Sequence, residues 1–153
     1  MAMALADRAW CVVVPHHARG ARQARHRLRA ELAAVIPPEL LSDTVAVVAE
    51  LVANAVRHAN PLPGDVVRVA WRLRTRAGGD VVEVRVTDGG AESRIPRLCT
   101  APPEAPSGRG LGIVAALADR WGVDHDGLGQ CVWAELTLGG LRPPGAPRWQ
   151  RAG

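Results

Sequence analysis

A chain of 153 residues, 48% hydrophobic and 22% charged, has the balance of one folded domain with its own core rather than of a disordered tail. Its formal charge is +4 and every one of the 19 basic residues is arginine; without lysine there is no Walker-type phosphate loop, Schiff-base enzyme or pyridoxal enzyme. Phe and Tyr are absent and the only aromatics are five Trp, which argues against an RNA-binding sheet with stacking aromatics.

The apolar run AWCVVVP is too short for a spanning helix and poor as a secretory signal, so no membrane is expected. Residues 10 to 14 read as a short buried strand ended by Pro15. Cys11, Cys99 and Cys131 are an odd number without metal-ligand spacing, the usage of a reduced, cytoplasmic protein. Residues 18 to 35 place Ala21, Ala24, Leu28, Leu32 and Val35 at helical spacing, with Arg19, Arg22, Arg25 and Arg29 on the other face. A solvated face is the plain reading of those arginines; an acidic partner or nucleic acid is the alternative.

IPPE then breaks the chain, and Ser42 with Asp43 reads as the N-cap of a second helix running to about Ala59. VVRVAWRLR and VVEVRVTD each alternate, with Val67, Val69, Trp71 and Leu73, then Val82, Val84 and Val86, expected inward; AGGD joins them as an antiparallel hairpin. From Gly89 to Ser107 periodicity vanishes among four prolines, and a loop of this length inside a compact domain is often a lid. GRGLGIVAALADRWG reads as a glycine turn opening a third helix, and a last hairpin turns at DGLGQ into the strand CVWAELTL. The expected architecture is a two-layer α/β (α+β) sandwich: a mixed, mostly antiparallel sheet with helices on one face, over residues 1–138, followed by a disordered tail, 139–153.

Three stretches carry polar groups in unusual places. In ELVANAVRHA, Glu50, Asn54 and His58 recur every four residues and share one stripe of an otherwise apolar helix. VTDGG puts Asp88 at a strand end, an acceptor suited to an exocyclic amine, with Gly90 clearing room for a flat base. GRGLGIV offers Gly108, Gly110 and Gly112 at a helix N-terminus, where free N–H groups and a partial positive charge suit a phosphate, and Arg109 adds charge. Magnesium keeps several waters, so the Asn54 amide with phosphate oxygens is a sufficient ligand set. Glu50, one turn earlier, is placed to orient or deprotonate a nucleophile.

The order E-x-x-x-N-A-x-x-H, D-x-G, G-x-G-L-x-I-V resembles the N, G1 and G2 boxes of the GHKL (Bergerat-fold) ATPase superfamily, over about residues 10 to 138. Within it the chain is most similar to stand-alone regulatory ATP-binding proteins of the anti-sigma-factor serine kinase type. The resemblance implies Glu50 as catalytic acid-base residue, Asn54 as magnesium ligand, Asp88 on the adenine amine and Gly90 lining the base pocket. It further implies that Gly108, Arg109, Gly110, Leu111 and Gly112 hold the phosphates and hinge a lid over residues 91 to 107. His58 matches the first box without an assigned role. One departure stands out: the second glycine of the G1 box is replaced by Glu92.

The leading expectation is therefore a serine/threonine protein kinase that uses ATP and Mg2+ on an antagonist protein and binds a sigma factor. The alternative is a non-enzymatic, nucleotide-gated protein-binding module. DNA binding through the Arg19 to Arg29 face ranks below both, and a homodimer through the apolar first strand is a further expectation.

Overall fold

The computed structural model of the chain describes residues 7–76, 79–90, 106–126 and 129–137. In chain order they form β1 (Arg8–Pro15), α1 (Ala18–Leu32), α2 (Pro38–His58), β2 (Val66–Arg76), β3 (Gly79–Asp88), α3 (Pro106–Leu117), β4 (Arg120–Asp126) and β5 (Gly129–Thr137). The strands make one sheet in the order β1-β2-β3-β5-β4. Every pairing is antiparallel, so the two-layer sandwich is as expected, while the parallel part of a mixed sheet is not found among the described residues.

Alternation decides the two faces. Val67, Val69, Trp71 and Leu73 of β2 and Val82, Val84 and Val86 of β3 are buried as their period of two requires, and join Leu28 and Leu32 of α1 and Val48, Leu51 and Val52 of α2 in one core. Fully buried leucines of this kind hold the layers together; Leu51→Ala is expected to cost about 2–5 kcal/mol. β1 is tied in by a Trp10–Trp71 stack with ring centroids 6.3 Å apart and by the Trp10 indole N–H donating to Glu31 of α1. On the opposite face, Arg74 lies 2.6 Å from Glu83 and 3.7 Å from Glu135, and Arg85 bridges Glu83 and Asp124. Arg19, Arg22, Arg25 and Arg29 are exposed on α1 and make no ion pair with any described residue.

β1 is longer than the expected strand over residues 10 to 14 and, as an edge strand, is buried only at Val14; the boundaries of the three helices also differ from the sequence reading, each for a physical reason. α1 ends at Leu32, but the N–H groups of Val35 and Ile36 both donate to Leu32 O, so the backbone keeps turning and Val35 still packs on the core. α2 begins at Pro38, with Pro37 as N-cap, so Ser42 and Asp43 lie inside the helix rather than capping it. A proline at the first helical position has its φ preset and lacks a hydrogen that would be unpaired anyway. α3 stops at Leu117 instead of continuing through Gly122. Asp119 N–H donates to Glu135 O, its carboxylate accepts from Thr137, and Trp121 enters the core opposite Ala134 as a strand residue. Among the described residues, no helix is long and apolar enough to cross a membrane.

Candidate functional site

α2 packs against both α1 and α3 and lies across β3 and β5, which makes it the centre of the helix layer. Its buried residues are those facing the sheet and its neighbours, and the stripe Glu50, Asn54, His58 runs along the border of that buried face. Asn54 is 8% exposed, whereas Glu50 and His58 are half-buried. Glu50 makes no hydrogen bond or ion pair with a described residue. A carboxylate that no described residue engages, at the edge of a packed helix, is suited to meet a ligand.

The C-terminal end of α2 meets the end of β3. Asn60 N–H donates to Gly90 O and Gly89 N–H donates to Asn60 O, which fixes the Asp88-Gly89-Gly90 segment beside the last turn of the helix. Asp88 is 2% exposed and, among the described residues, accepts one hydrogen bond, 2.7 Å, from Gly90 N–H. Burial pushes its carboxyl above the ordinary aspartate range, because charge is disfavoured away from water; the Gly90 N–H and the nearby His16 and His125 oppose that shift. An acidic group kept buried with a single backbone donor retains free lone pairs. Gly90 has φ +75, a conformation only glycine adopts without strain, and it leaves bare backbone where a side chain would stand.

Three residues that the sequence reading passed over belong to this end. His16, just after β1, holds Nε2 3.1 Å from Ala55 O and 2.9 Å from Ala59 O, so this nitrogen carries the hydrogen and ties the last turn of α2 to β1. His125 on β4 acts on the Asp88 charge. Gln130 on β5 is the direct cross-strand partner of Asp88, is 4% exposed, and its Oε1 has no hydrogen-bond partner among the described residues. The signal for Gln130 was present: it occupies the inward register of Val132, Ala134 and Leu136, where an amide is out of place.

The glycine segment differs from expectation. Gly108, Arg109 and Gly110 fall within the first turns of α3, which starts at Pro106, and do not form a turn preceding it. Leu111, 2% exposed, is a core residue through which α3 is anchored, and Gly112 is exposed with open space where a side chain would be. The bulk of the expected lid, residues 91–105, lies outside the described residues, together with Glu92, the two hairpin turns at 77–78 and 127–128, and the tail 139–153. A separate concavity on the outer sheet face is lined by Arg68, Arg85, Thr87, Asp124, His125 and Cys131; none of the sequence-predicted residues lines it.

The chemistry of these groups fits a nucleotide. Asp88 and Gln130 offer two buried acceptors to a base beside the bare backbone of Gly90. No group of three or more His, Cys, Asp or Glu able to hold a metal occurs among the described residues, so a magnesium ion here would take most of its ligands from phosphate and water, with the Asn54 amide as the protein's contribution. No curated protein shows significant similarity to the chain. Residues 14–136 match the family model of the histidine kinase-like ATPase domain, from β1 to the last residues of β5, and domains of this superfamily bind ATP, typically with Mg2+. The chain belongs to the histidine kinase-like ATPase family of the GHKL superfamily.

Proposed function

We propose that this ATPase domain is a regulatory protein kinase of the anti-sigma-factor type, transferring the γ-phosphoryl group of Mg-ATP to a serine of a small antagonist protein. The observation that carries the reading is the combination of a fixed strand end, Asp88 to Gly90, with a carboxylate, Glu50, that no described residue engages, two turns back along the helix that borders it. Asp88 accepts from the adenine amine, Gly90 lines the base, and Asn54 ligates magnesium. His58 borders the same pocket, and the Gly108 to Gly112 segment, with Arg109, receives the phosphates at the start of α3. Glu50 takes the proton of the attacking serine hydroxyl while the bond between the γ-phosphorus and the bridging oxygen breaks and ADP leaves.

A sigma factor is the second partner in this reading, released when the antagonist engages; the protein acts in the cytoplasm, and pairing of two copies through β1 accompanies it. The alternative, a nucleotide-gated binding module without transfer, is favoured by one residue, Glu92, which puts a negative charge where the G1 box has glycine. Incubation with Mg-ATP labelled at the γ-position and candidate antagonist proteins separates the two. Serine phosphorylation that disappears in Glu50→Gln supports the kinase; ATP-dependent partner binding with no label transferred supports the module.

A further inference from the structure

We propose that the cavity on the outer face of the sheet is a second ligand site and that it takes a small organic monocarboxylate, held by Arg68 and Thr87. The site lies across the sheet from Asp88 and is independent of what binds there.

The cavity has a volume of about 280 Å³, and Arg68, Ala70, Arg85, Thr87, Asp124 and Cys131 are in its lining. Strand register brings them together. Arg68 of β2 stands opposite Thr87 of β3, Thr87 opposite Cys131 of β5, and Cys131 opposite Asp124 of β4, so one row crosses four strands about 4.8 Å apart. The pleat turns this row away from the helix layer, because the adjoining positions Val67, Val69, Val86 and Val132 are the ones buried in the core. Two short, nearly covered side chains, Thr87 and Cys131, thus lie between two exposed charged ones. The result is a hollow.

Arg68 brings to it a charge that no described residue balances. Arg74, Arg85 and Arg120 share ion pairs with Glu83, Asp124 and Glu135, a network with three charges of each sign, and Arg72 is paired with Asp7. Arg68 makes no ion pair or side-chain hydrogen bond with any described residue. Directly across from it, Thr87 is 8% exposed, and its hydroxyl makes no hydrogen bond with a described residue either. A covered hydroxyl without a partner is costly in a native fold. At the wall of a cavity, beside a free guanidinium, it is suited to a ligand.

These groups define the occupant. The planar guanidinium fork matches the two oxygens of a carboxylate, and the Thr87 O–H donates to the same oxygens. A single unbalanced cation calls for a single negative charge, while the Asp124 carboxylate at the far end of the row opposes a dianion such as a phosphate monoester. Ala70 and the Cys131 sulfur, which accepts from the Arg85 guanidinium at 3.9 Å, offer a soft floor to a short alkyl chain. Sites for drug-sized ligands measure about 300–1,000 Å³, so this smaller volume fits a ligand of a few carbons.

The test is nuclear magnetic resonance titration of the full chain with propionate, propionamide and inorganic phosphate, at constant ionic strength set with chloride. Propionate should give saturable shifts at residues of β2, β3 and β5, with a dissociation constant on the order of millimolar for so small a ligand. Propionamide, of the same shape without the charge, should give none, and phosphate should bind at least about tenfold more weakly than propionate. Arg68→Gln should weaken propionate by about tenfold or more. Thr87→Val, which keeps the shape and removes the hydroxyl, should weaken it by about three- to tenfold. Both variants should unfold at or above the wild-type temperature, since neither side chain is bonded to another described residue. Propionate that shifts nothing in wild type, or that binds a folded Arg68→Gln as tightly as wild type, overturns the site. An equal response to propionamide overturns recognition of the carboxylate, and tighter binding of phosphate overturns the choice of a monocarboxylate.

Discussion

The two ends of the polar stripe on α2 are built differently. At the proposed base-binding end, Asp88 is buried, accepts from Gly90 N–H and is fixed by the Asn60 backbone pairings, while His16 clamps the last helical turn onto β1. One and two turns earlier the same helix carries Asn54 and Glu50, and Glu50 is half-buried and unpaired with any described residue. In the proposed reading, recognition falls to groups the sheet holds in place before anything binds, which lowers the ordering cost of binding. In the same reading, chemistry falls to a side chain that no described residue holds, the kind of group that aligns once substrate is bound.

The difference predicts that substitutions at the two ends affect different steps. Glu50→Gln should lower the rate of phosphoryl transfer by about 10²-fold or more while leaving the ATP dissociation constant within a few-fold of wild type. Single-turnover kinetics alongside calorimetric titration read the two quantities separately, and an equal loss in both would mean that Glu50 binds rather than reacts. Asp88→Ala should do the converse: ATP affinity falls by about 10- to 100-fold, the loss of a hydrogen bond to a charged acceptor, and transfer at saturating ATP is affected less. Gly90→Ala ranks third. At φ +75 a side chain carries a strain of about 1–2 kcal/mol, so thermal unfolding should shift downward and ATP affinity drop modestly, while a variant at the open Gly112 position, Gly112→Ala, should leave stability unchanged or raise it.

The division between the two ends also explains what could be read from the sequence. The stripe on α2 and the alternation of β2 and β3 follow from periods of 3.6 and 2, and the chain writes them plainly in Glu50, Asn54, His58 and in Val67 to Leu73. Boundaries were harder where local chemistry misleads. Ser42 and Asp43 resemble a cap, but the preset φ of Pro38 starts the helix a turn earlier. Ala118 to Trp121 continues a helical apolar pattern, yet the backbone pairing of Asp119 with Glu135 moves Trp121 into a strand. His16, His125 and Gln130 reach Asp88 only through long-range pairing: β1 arrives by way of β2, and β5 lies between β3 and β4. No spacing rule within one element places a residue at position 16 or 130 beside one at 88.

The smallest expected effect is also the one most specific to the base-binding end. Because burial raises the Asp88 carboxyl above the ordinary aspartate value of 3.8, the folded state holds its proton more tightly than the unfolded chain does. Below the unfolded value both states are protonated and the group adds nothing to the pH slope; as pH rises through the raised folded value, the unfolded state ionises more readily and stability falls. Asp88→Asn removes this ionisation while keeping the shape. Its stability relative to wild type should therefore be greatest at neutral pH and diminish as pH falls toward 3.8, as denaturant unfolding at a series of pH values will show. ATP binding should run the opposite way: acidification protonates the carboxylate that the amine requires, so wild-type affinity should weaken at a pH above that at which an ordinary aspartate titrates. If wild type and Asp88→Asn keep a constant stability difference from neutral pH down to 4, Asp88 is not destabilised by burial, and the tension between stability and recognition at this end of the helix is absent.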